Sequence, residues 1–466
     1  MKFRFRRHNS SNSSNKPREV IDHTEGSIIK SILRMGLPSM IGFGIGNIYD
    51  LIDMYWLSRL GPEPVAAITI LGPFLWVIHS ANMVVGTGSV AIISRRYGEK
   101  NILETEMAIK ETVVLKWLVA VIFGAIGYFL APHIVTLMGA RGEVAELGIT
   151  YGRIIFIGLG FNFATYSVFT AMRGVANPKM AMILMISLSG LNILLDPFMI
   201  FGWWIFPEMG VAGAAWASVI SYALAFLVGM GIFYAGGANV RLNPGNRRRL
   251  SWLTMWRILK IGVPSAIGSL SFSMARLVIM PMIAIFGTGV IAAYGVGQRV
   301  SALGIMLLVG IGLGLSSLIG HNLGAGKKER AKKTVHQAII LATSIMTAIG
   351  VATFVGAGLI MSWFFDDPEI TAYGITLLRI LAVGFPFLGL YLILENVYTG
   401  VGENRPAMFF NILHAWLLEI PAVYACTQLL GYDQNAVWWS ITGATIISTI
   451  IFYGYFRNGR WLQVKV

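Results

Sequence analysis

Long apolar runs recur along almost the whole chain and limit its possible folds more than any other feature. A run needs roughly 20 helical residues to cross about 30 Å of hydrocarbon, and we place twelve such runs between about residues 31 and 458. A soluble chain of 466 residues would instead divide into cores joined by polar linkers, yet only 12% of these residues are charged. The sequence therefore predicts an all-α membrane protein with twelve transmembrane helices.

The basic residues alternate with the apolar runs instead of forming one basic domain. They precede the first run, follow the last and occupy every second connection, whereas the other connections are acidic except for Arg59 and Arg141. By the positive-inside rule, both termini are cytoplasmic, which requires an even number of spans. We therefore attribute the net charge of +14 to topology in the inner (plasma) membrane and not to nucleic-acid binding. The internal basic residues assigned to cytoplasmic connections are Arg95, Arg96, Lys100, Lys110, Lys116, Arg173, Lys179, Arg241, Arg247, Arg248, Arg249, Arg257, Lys260, Lys327, Lys328, Arg330, Lys332, Lys333 and Arg405.

Several kinds of site are not indicated. The single cysteine, Cys426, excludes an internal disulfide and a thiolate metal cluster. We find no phosphate loop, metal-spaced histidine cluster or nucleophile with a placed base, and we expect no enzyme activity and no cofactor. Energy is expected to come from an ion gradient. We expect a monomer whose partners are the lipid bilayer and small organic substrates.

An internal duplication divides the chain into two six-helix halves. The run Gly-Leu-Pro-Ser-Met-Ile-Gly at 36–42 returns as Gly-Val-Pro-Ser-Ala-Ile-Gly at 262–268, an offset of 226 (262 minus 36). Six spans return the chain to the same side, so the halves are parallel repeats with the substrate path between them. The predicted parts are a disordered cytoplasmic tail without a signal peptide (1–30), an N-terminal lobe (31–240), a cytoplasmic linker (241–256), a C-terminal lobe (257–458) and a tail (459–466).

Five carboxylates fall inside the predicted spans, namely Asp50, Asp53, Asp196, Glu395 and Glu419. A charge near the bilayer centre costs about 2.5 kcal/mol or more on insertion scales, so intramembrane acids usually face a cavity and mark ion pathways. Exclusion of water favours the neutral acid, whereas a nearby cation favours the carboxylate. Such a group can therefore be switched by H+ or Na+.

Two of these acids have polar neighbours on the same helix face. Asp50 lies three residues before Asp53, and Asn192 lies four before Asp196, so each pair shares a face. Asn192 and Asp196 can supply an amide oxygen and a carboxylate to H+ or Na+. Two alternatives stay open: Asp196, which precedes Pro197, caps a short helix, or Asp50 is a rim residue paired with a basic group.

The two halves are not chemically equivalent. The offset of 226 places Arg276 opposite Asp50 and Ile279 opposite Asp53, so we expect the ion site in the N-terminal lobe. We expect Arg276 to pair with Glu395 or Glu419 in a structural polar network of the C-terminal lobe.

Four motifs, weak singly, carry a family resemblance through their order and spacing. They are Gly-Leu-Pro at 36–38, Ile-Asp at 52–53 followed by Arg-Leu-Gly at 59–61, Leu-Asn-Ile-Leu-Leu-Asp-Pro at 191–197, and Gly-Val-Ala-Gly-Ala-Ala at 210–215. Over about residues 30–458 the chain resembles the multidrug and toxic compound extrusion (MATE) family of the multidrug, oligosaccharide-lipid and polysaccharide exporter superfamily. The resemblance implies a V-shaped pair of lobes that exchanges H+ or Na+ for organic, often cationic and aromatic, compounds by alternating access.

The resemblance also implies roles for individual residues. It assigns cation binding to Asp53, Asn192, Asp196 and Ser218, where related sequences often have threonine. Tyr151 resembles a tyrosine near that site, with packing as an equal alternative.

Other implied features concern the bend of the first helix and rival functions. Pro38 resembles the proline at which the first helix bends, with a fixed kink as the alternative. Some relatives use acids of the C-terminal lobe, so Glu395 and Glu419 keep a second ion site open. The rival functions are a flippase for lipid-linked oligosaccharides or lipids, which basic residues in the central cavity would favour, and a non-transporting receptor or assembly factor.

Overall fold

A computed structural model describes residues 25–246 and 248–464, apart from the side chains of Pro73 and Trp76. Within this part of the chain, twelve helices are long and apolar enough to cross a membrane, and there is no strand. The predicted all-α membrane fold is confirmed. The first lobe contains α1 (Ile28–Ser58), α2 (Pro62–Gly98), α3 (Ile102–Leu137), α4 (Gly142–Gly174), α5 (Pro178–Phe201) and α6 (Val211–Tyr234). The second contains α7 (Trp252–Ala284), α8 (Thr288–Gly324), α9 (Lys328–Ser362), α10 (Pro368–Val401), α11 (Arg405–Leu429) and α12 (Gln434–Arg457).

The helix bounds repeat with the offset found in the sequence. α2 begins at Pro62 and α8 at Thr288, which are 226 residues apart (288 minus 62). α11 departs from its counterpart α5 because it contains two π-helical stretches, Leu413–Glu419 and Ala425–Leu429. The duplication therefore holds for helix positions but not for the local geometry of every helix.

Serine caps define where each lobe begins. The Ser27 side chain accepts from the backbone N–H of Lys30, so α1 starts three residues before the predicted lobe boundary at 31. Ser251 caps α7 in the same way, so residues 252–256 of the predicted linker are helical. Residues 1–24 of the predicted N-terminal tail, and 465–466 of the C-terminal one, lie outside the described residues.

Glycines join the two lobes at the end of the molecule that carries residues 241–251, which we call the linker end. A Cβ on Gly98 would overlap the carbonyl oxygen of His321, and a Cβ on Gly324 would overlap that of Arg95. The two contacts are related by the duplication, because 324 minus 98 and 321 minus 95 both equal 226. We call this pair of contacts the glycine seal.

Helix α1 follows the second lobe for part of its length and then leaves it. Gly36 packs on the α8 backbone, and Asn47 lies 3.6 Å from the Met306 sulfur of α8. Leu51 is next on the same face, one turn after Asn47, and is 72% exposed. The lobes are therefore closed at the linker end and diverge toward the opposite end.

The linker is held against α3 by buried glutamates. Glu106 accepts from the backbone N–H of Asn243 at 2.9 Å and lies 2.7 Å from the Lys110 ammonium. Glu111 accepts from the backbone N–H of Ser251 at 2.8 Å. These charge-assisted bonds fix both ends of the linker to the first lobe.

We expect Glu106→Ala to destabilise the protein by about 1 to 3 kcal/mol, because it leaves the Asn243 N–H without its acceptor and the Lys110 ammonium without its counter-charge. Thermal unfolding of the purified protein in detergent measures the change. Glu329→Ala is the matched control, since Glu329 pairs with Lys332 at an exposed surface where an ion pair contributes little. Equal stability of the two variants would show that the linker docks without Glu106.

Candidate cation-binding site

Three helices of the first lobe converge away from the linker end. Asp53 lies near the end of α1, Asp196 near the end of α5, and Ser218 about two turns after the start of α6. α5 runs unbroken through Pro197 to Phe201. All three side chains therefore lie in the half of the lobe where the two lobes diverge.

Asn192 connects α5 to α6 inside this cluster. Its amide nitrogen donates to Oδ2 of Asp196 at 2.8 Å, and its oxygen accepts from the Ser218 hydroxyl at 3.2 Å. In the opposite orientation the Asn192 oxygen would face Oδ2 of Asp196, so two acceptors would meet without a hydrogen. We therefore assign the orientation described here. Asp196 is 0% exposed and Asn192 is 2% exposed, so water does not compete for these bonds.

The two acids face each other. The carboxyl group of Asp53 lies within hydrogen-bonding distance of that of Asp196. Oδ1 of Asp53 is buried and receives no hydrogen bond from an N–H or O–H group of the described residues. Two carboxylates this close repel each other when both are ionised, so the pair is suited to hold a proton or a cation between them.

Two tyrosines complete the cluster. The Tyr49 hydroxyl lies 3.2 Å from the Ser218 hydroxyl, which extends the chain of hydrogen bonds from Asp196 through Asn192 to α1. Tyr151 of α4 is buried beside both acids. Sequence reasoning missed Tyr49, although its position four residues before Asp53 places the two on one helix face.

The comparisons with known proteins agree with this architecture. The MatE family model matches residues 38–198 and 264–425, which is most of both lobes. The chain belongs to the MatE family. The resemblance found in the sequence motifs is thereby confirmed.

Named relatives of this MatE protein cover nearly its whole length. The probable multidrug resistance protein YpnP of Bacillus subtilis (strain 168) is 26% identical over 450 residues, 96% of this chain and 99% of the relative. The multidrug export protein MepA of Staphylococcus haemolyticus (strain JCSC1435) is 24% identical over 94% of this chain and 95% of its own. The structure resembles that of a multidrug resistance MATE transporter described as outward-facing, with a TM-score of 0.86 and 24% identity over 96% of this chain and 100% of that one. The MatE protein is a multi-pass membrane transporter of the multidrug efflux family.

The structure decides between alternatives left open for two aspartates of the MatE protein. Asp196 lies inside α5 and its carboxyl group faces Asn192, so the prediction that it caps a short helix is wrong. Asp50 is exposed, one turn before Asp53, and acts on Asp53 only through its charge. Asp50 is therefore outside the hydrogen-bonded cluster.

The arrangement also bears on Na+. No group of three or more His, Cys, Asp or Glu side chains converges in the described part of the chain, so a divalent metal site is not built there. The Asn192 oxygen is turned toward Ser218, so in this orientation it does not face the carboxyl groups of Asp53 and Asp196. The MatE protein would have to rotate this amide to add the Asn192 oxygen to the ligands of Na+.

The expected pairing of Arg276 with an acid is wrong. Its guanidinium donates to the Gln298 side chain at 2.9 Å and lies over the Phe272 ring. Glu395 and Glu419 have other partners. The second lobe of the MatE protein therefore uses Arg276 to join α7 to α8 through an amide.

The acids of the second lobe form two short polar chains. Glu395 accepts from the Asn411 amide at 3.1 Å, and Glu419 lies 3.4 Å from the His414 ring. His414 is in turn 2.9 Å from the Ser448 hydroxyl. Neither glutamate is paired with another carboxyl group, in contrast to Asp53, so the second ion site stays a prediction for this MatE protein.

Pro38 lies within an unbroken α1, and its repeat equivalent Pro264 lies within an unbroken α7. The helix therefore continues past the proline in this conformation. A bend at Pro38 stays a prediction.

Proposed function

We propose that this protein is a secondary active antiporter that exports organic compounds in exchange for H+ or Na+ by alternating access. The carboxyl pair of Asp53 and Asp196, enclosed in the first lobe and hydrogen-bonded to Asn192, carries the proposal. Acids at membrane depth are costly and usually mark the pathway of ions or protons. Asp196 is fully buried here and Asp53 is partly buried. Ser218 and Tyr151 support the pair from α6 and α4.

The geometry of the pair favours H+ as the coupling ion. A hydrogen bond between two carboxyl groups contains a proton, and the Asn192 amide donates to the acids instead of offering its oxygen. Na+ is the alternative coupling ion, and the Asn192 oxygen would join its ligands after this amide turns.

The transport path runs between the lobes. Leu51 and its repeat equivalent Leu277 are 72% and 66% exposed on α1 and α7. A cleft lined by apolar side chains suits compounds with an apolar or aromatic body. The linker end, where the basic connections gather, is cytoplasmic by the positive-inside rule. Both termini therefore lie on the cytoplasmic side of the plasma membrane.

Coupling follows if the ion and the substrate favour different conformations. Protonation neutralises the charge of the acid pair. The bend at Pro38 is the proposed change that follows and weakens substrate binding. Opening of the linker end then exposes the acid pair to the cytoplasm, and the proton is released there.

Efflux from proteoliposomes under separately imposed gradients tests this function. A fluorescent aromatic cation such as ethidium serves as the probe. We expect an inward pH gradient to drive its export, and an Na+ gradient alone to leave it at the passive rate. Export driven by Na+ alone would replace H+ by Na+ in the proposal. Passive rates under both gradients would remove the antiport function.

A further inference from the structure

The first lobe contains a second group of buried charges that the acid pair does not use. Lys116 of α3 is 1% exposed and Arg173 in the last turn of α4 is 5% exposed. Both were predicted from the sequence to lie at cytoplasmic connections. Arg173 lies at the end of α4, whereas Lys116 lies about four turns inside α3, so the prediction is wrong for Lys116. They occupy the half of the lobe nearer the linker end, away from Asp53 and Asp196.

The neighbours of these two cations are aromatic rings, each other and the Thr170 hydroxyl, which accepts from the Arg173 guanidinium at 3.5 Å. The Lys116 ammonium lies 5.9 Å from the centre of the Tyr166 ring, and the Arg173 guanidinium lies 5.9 Å from that of Phe43. The charged group that acts on Lys116 is Arg173, a like charge. Among the described residues, no carboxylate pairs with either side chain.

Some buried polar atoms near these two cations have no hydrogen-bond partner among the described residues. Nε of Arg173 is buried without a hydrogen-bond acceptor, and Oδ1 of Asn82 on α2 is buried without a donor in the described part of the chain. Gly86, one turn after Asn82, lies beside the ammonium, since a Cβ there would be 3.8 Å from Nζ of Lys116, an ordinary van der Waals contact. Buried cations without counter-charges are strongly unfavourable, which calls for an anion in the working cycle.

A purely structural role explains only part of this group. Arg173 in the last turn of α4 interacts favourably with the negative end of the helix dipole. Lys116 lies about four turns into α3, far from either end of that helix, so the dipole does not account for it.

The contact between the lobes covers this group in the present conformation. Gly174, the residue after Arg173, is joined by its carbonyl oxygen to the His321 ring of the second lobe at 2.7 Å. Opening of the linker end must break that contact. The cations are therefore buried in this conformation. Opening of the linker end would expose them to the cytoplasm, from which the exported compound enters.

We propose that Lys116 and Arg173 form an anion subsite that binds the carboxylate or phosphate group of an exported amphiphile while the linker end is open. The guanidinium matches the planar oxygens of such groups, and Tyr166 and Phe43 offer aromatic contact to the apolar body. The substrates then include organic anions or zwitterions beside cations. This inference rests on the proposed export function.

Export of carboxyfluorescein and of ethidium from the same proteoliposomes tests the subsite. We expect Lys116→Gln to raise the KM for carboxyfluorescein about tenfold while ethidium export changes less than about twofold. Lys116→Arg keeps the charge and should restore anion export. Lys332→Gln, at an exposed surface, is the matched control.

A structural role would give a different pattern. Lys116→Gln would then lower the thermal stability and reduce the export of both probes together, which overturns the proposal. Unchanged carboxyfluorescein export, or wild-type protein that moves ethidium but not carboxyfluorescein, rules out a free organic anion as the ligand. Loss of ethidium export in the wild type would instead count against the antiport function itself.

The source of the anion is settled by a second arm with a tail-labelled phosphatidylglycerol in the vesicle bilayer. Lipid movement that requires Lys116 would identify a lipid phosphate as the ligand. Movement of carboxyfluorescein alone would identify a free organic anion. Dependence on Lys116 in neither arm overturns the subsite.

Discussion

Asp53→Asn is expected to reduce export driven by a pH gradient by about a hundredfold, because an amide cannot take up or release the proton that the pair shares with Asp196. The substitution keeps the side-chain shape, so ethidium should still bind. The measurement is the initial rate of ethidium efflux from proteoliposomes at several imposed pH gradients. The wild-type rate should rise with the gradient, and the residual rate of the variant should not.

Asp50→Asn is the matched control for this experiment. It removes the same charge from the same helix three residues earlier, but Asp50 is exposed and lies outside the hydrogen-bonded cluster. We expect its export rate to stay within about threefold of the wild type, since its carboxyl group makes no hydrogen bond to the acid pair and acts on Asp53 only through its charge. If Asp53→Asn keeps full gradient-driven export, the assignment of coupling to this acid pair is refuted.

Gly324→Ala is expected to hold the linker end open and to lower export about tenfold or more. The added methyl group would overlap the carbonyl oxygen of Arg95, which belongs to the backbone of α2 and cannot rotate away. Gly98→Ala should have the same effect, because the duplication makes its contact with His321 the counterpart of the first. The closed state is disfavoured in both variants, so the cycle stalls with the linker end open.

A single introduced cysteine reports the closure directly. In a Cys426→Ser background, Met35→Cys places a thiol at the closed interface, where Met35 is 0% exposed beside Gly314. A membrane-impermeant maleimide should react slowly with it in the wild type and about tenfold faster in Gly324→Ala.

Gly443→Ala controls for the change in helix propensity. Gly443 lies inside α12 with nothing within 4 Å of a Cβ, so only the gain of about 1 kcal/mol from replacing a helical glycine applies. Equal labelling and export in Gly324→Ala and Gly443→Ala would mean that the glycine seal does not limit closure.

The fold could be derived from the sequence because its determinants are local. Length and apolar character decide whether a segment such as α3 or α9 spans a bilayer, and neither property depends on a partner. The repeat offset likewise predicted that Gly98 and Gly324 are equivalent. It did not predict that each glycine contacts a backbone carbonyl of the opposite lobe, because that depends on how the two lobes dock.

The candidate site, like the fold, could be predicted only in part from the sequence. Asp53 and Asp196 stood out as acids in apolar segments, since the cost of burying a charge follows from its position in a span alone. Their partners could not be read in that way: the sequence suggested an acid for Arg276, and packing gave it Gln298. Rotation of each helix about its axis selects which side chains meet, and helix packing sets that rotation. The sequence by itself thus determined twelve spans, two lobes and the costly residues, whereas only the tertiary structure decided that two acids face each other and that two buried cations have no carboxylate partner among the described residues.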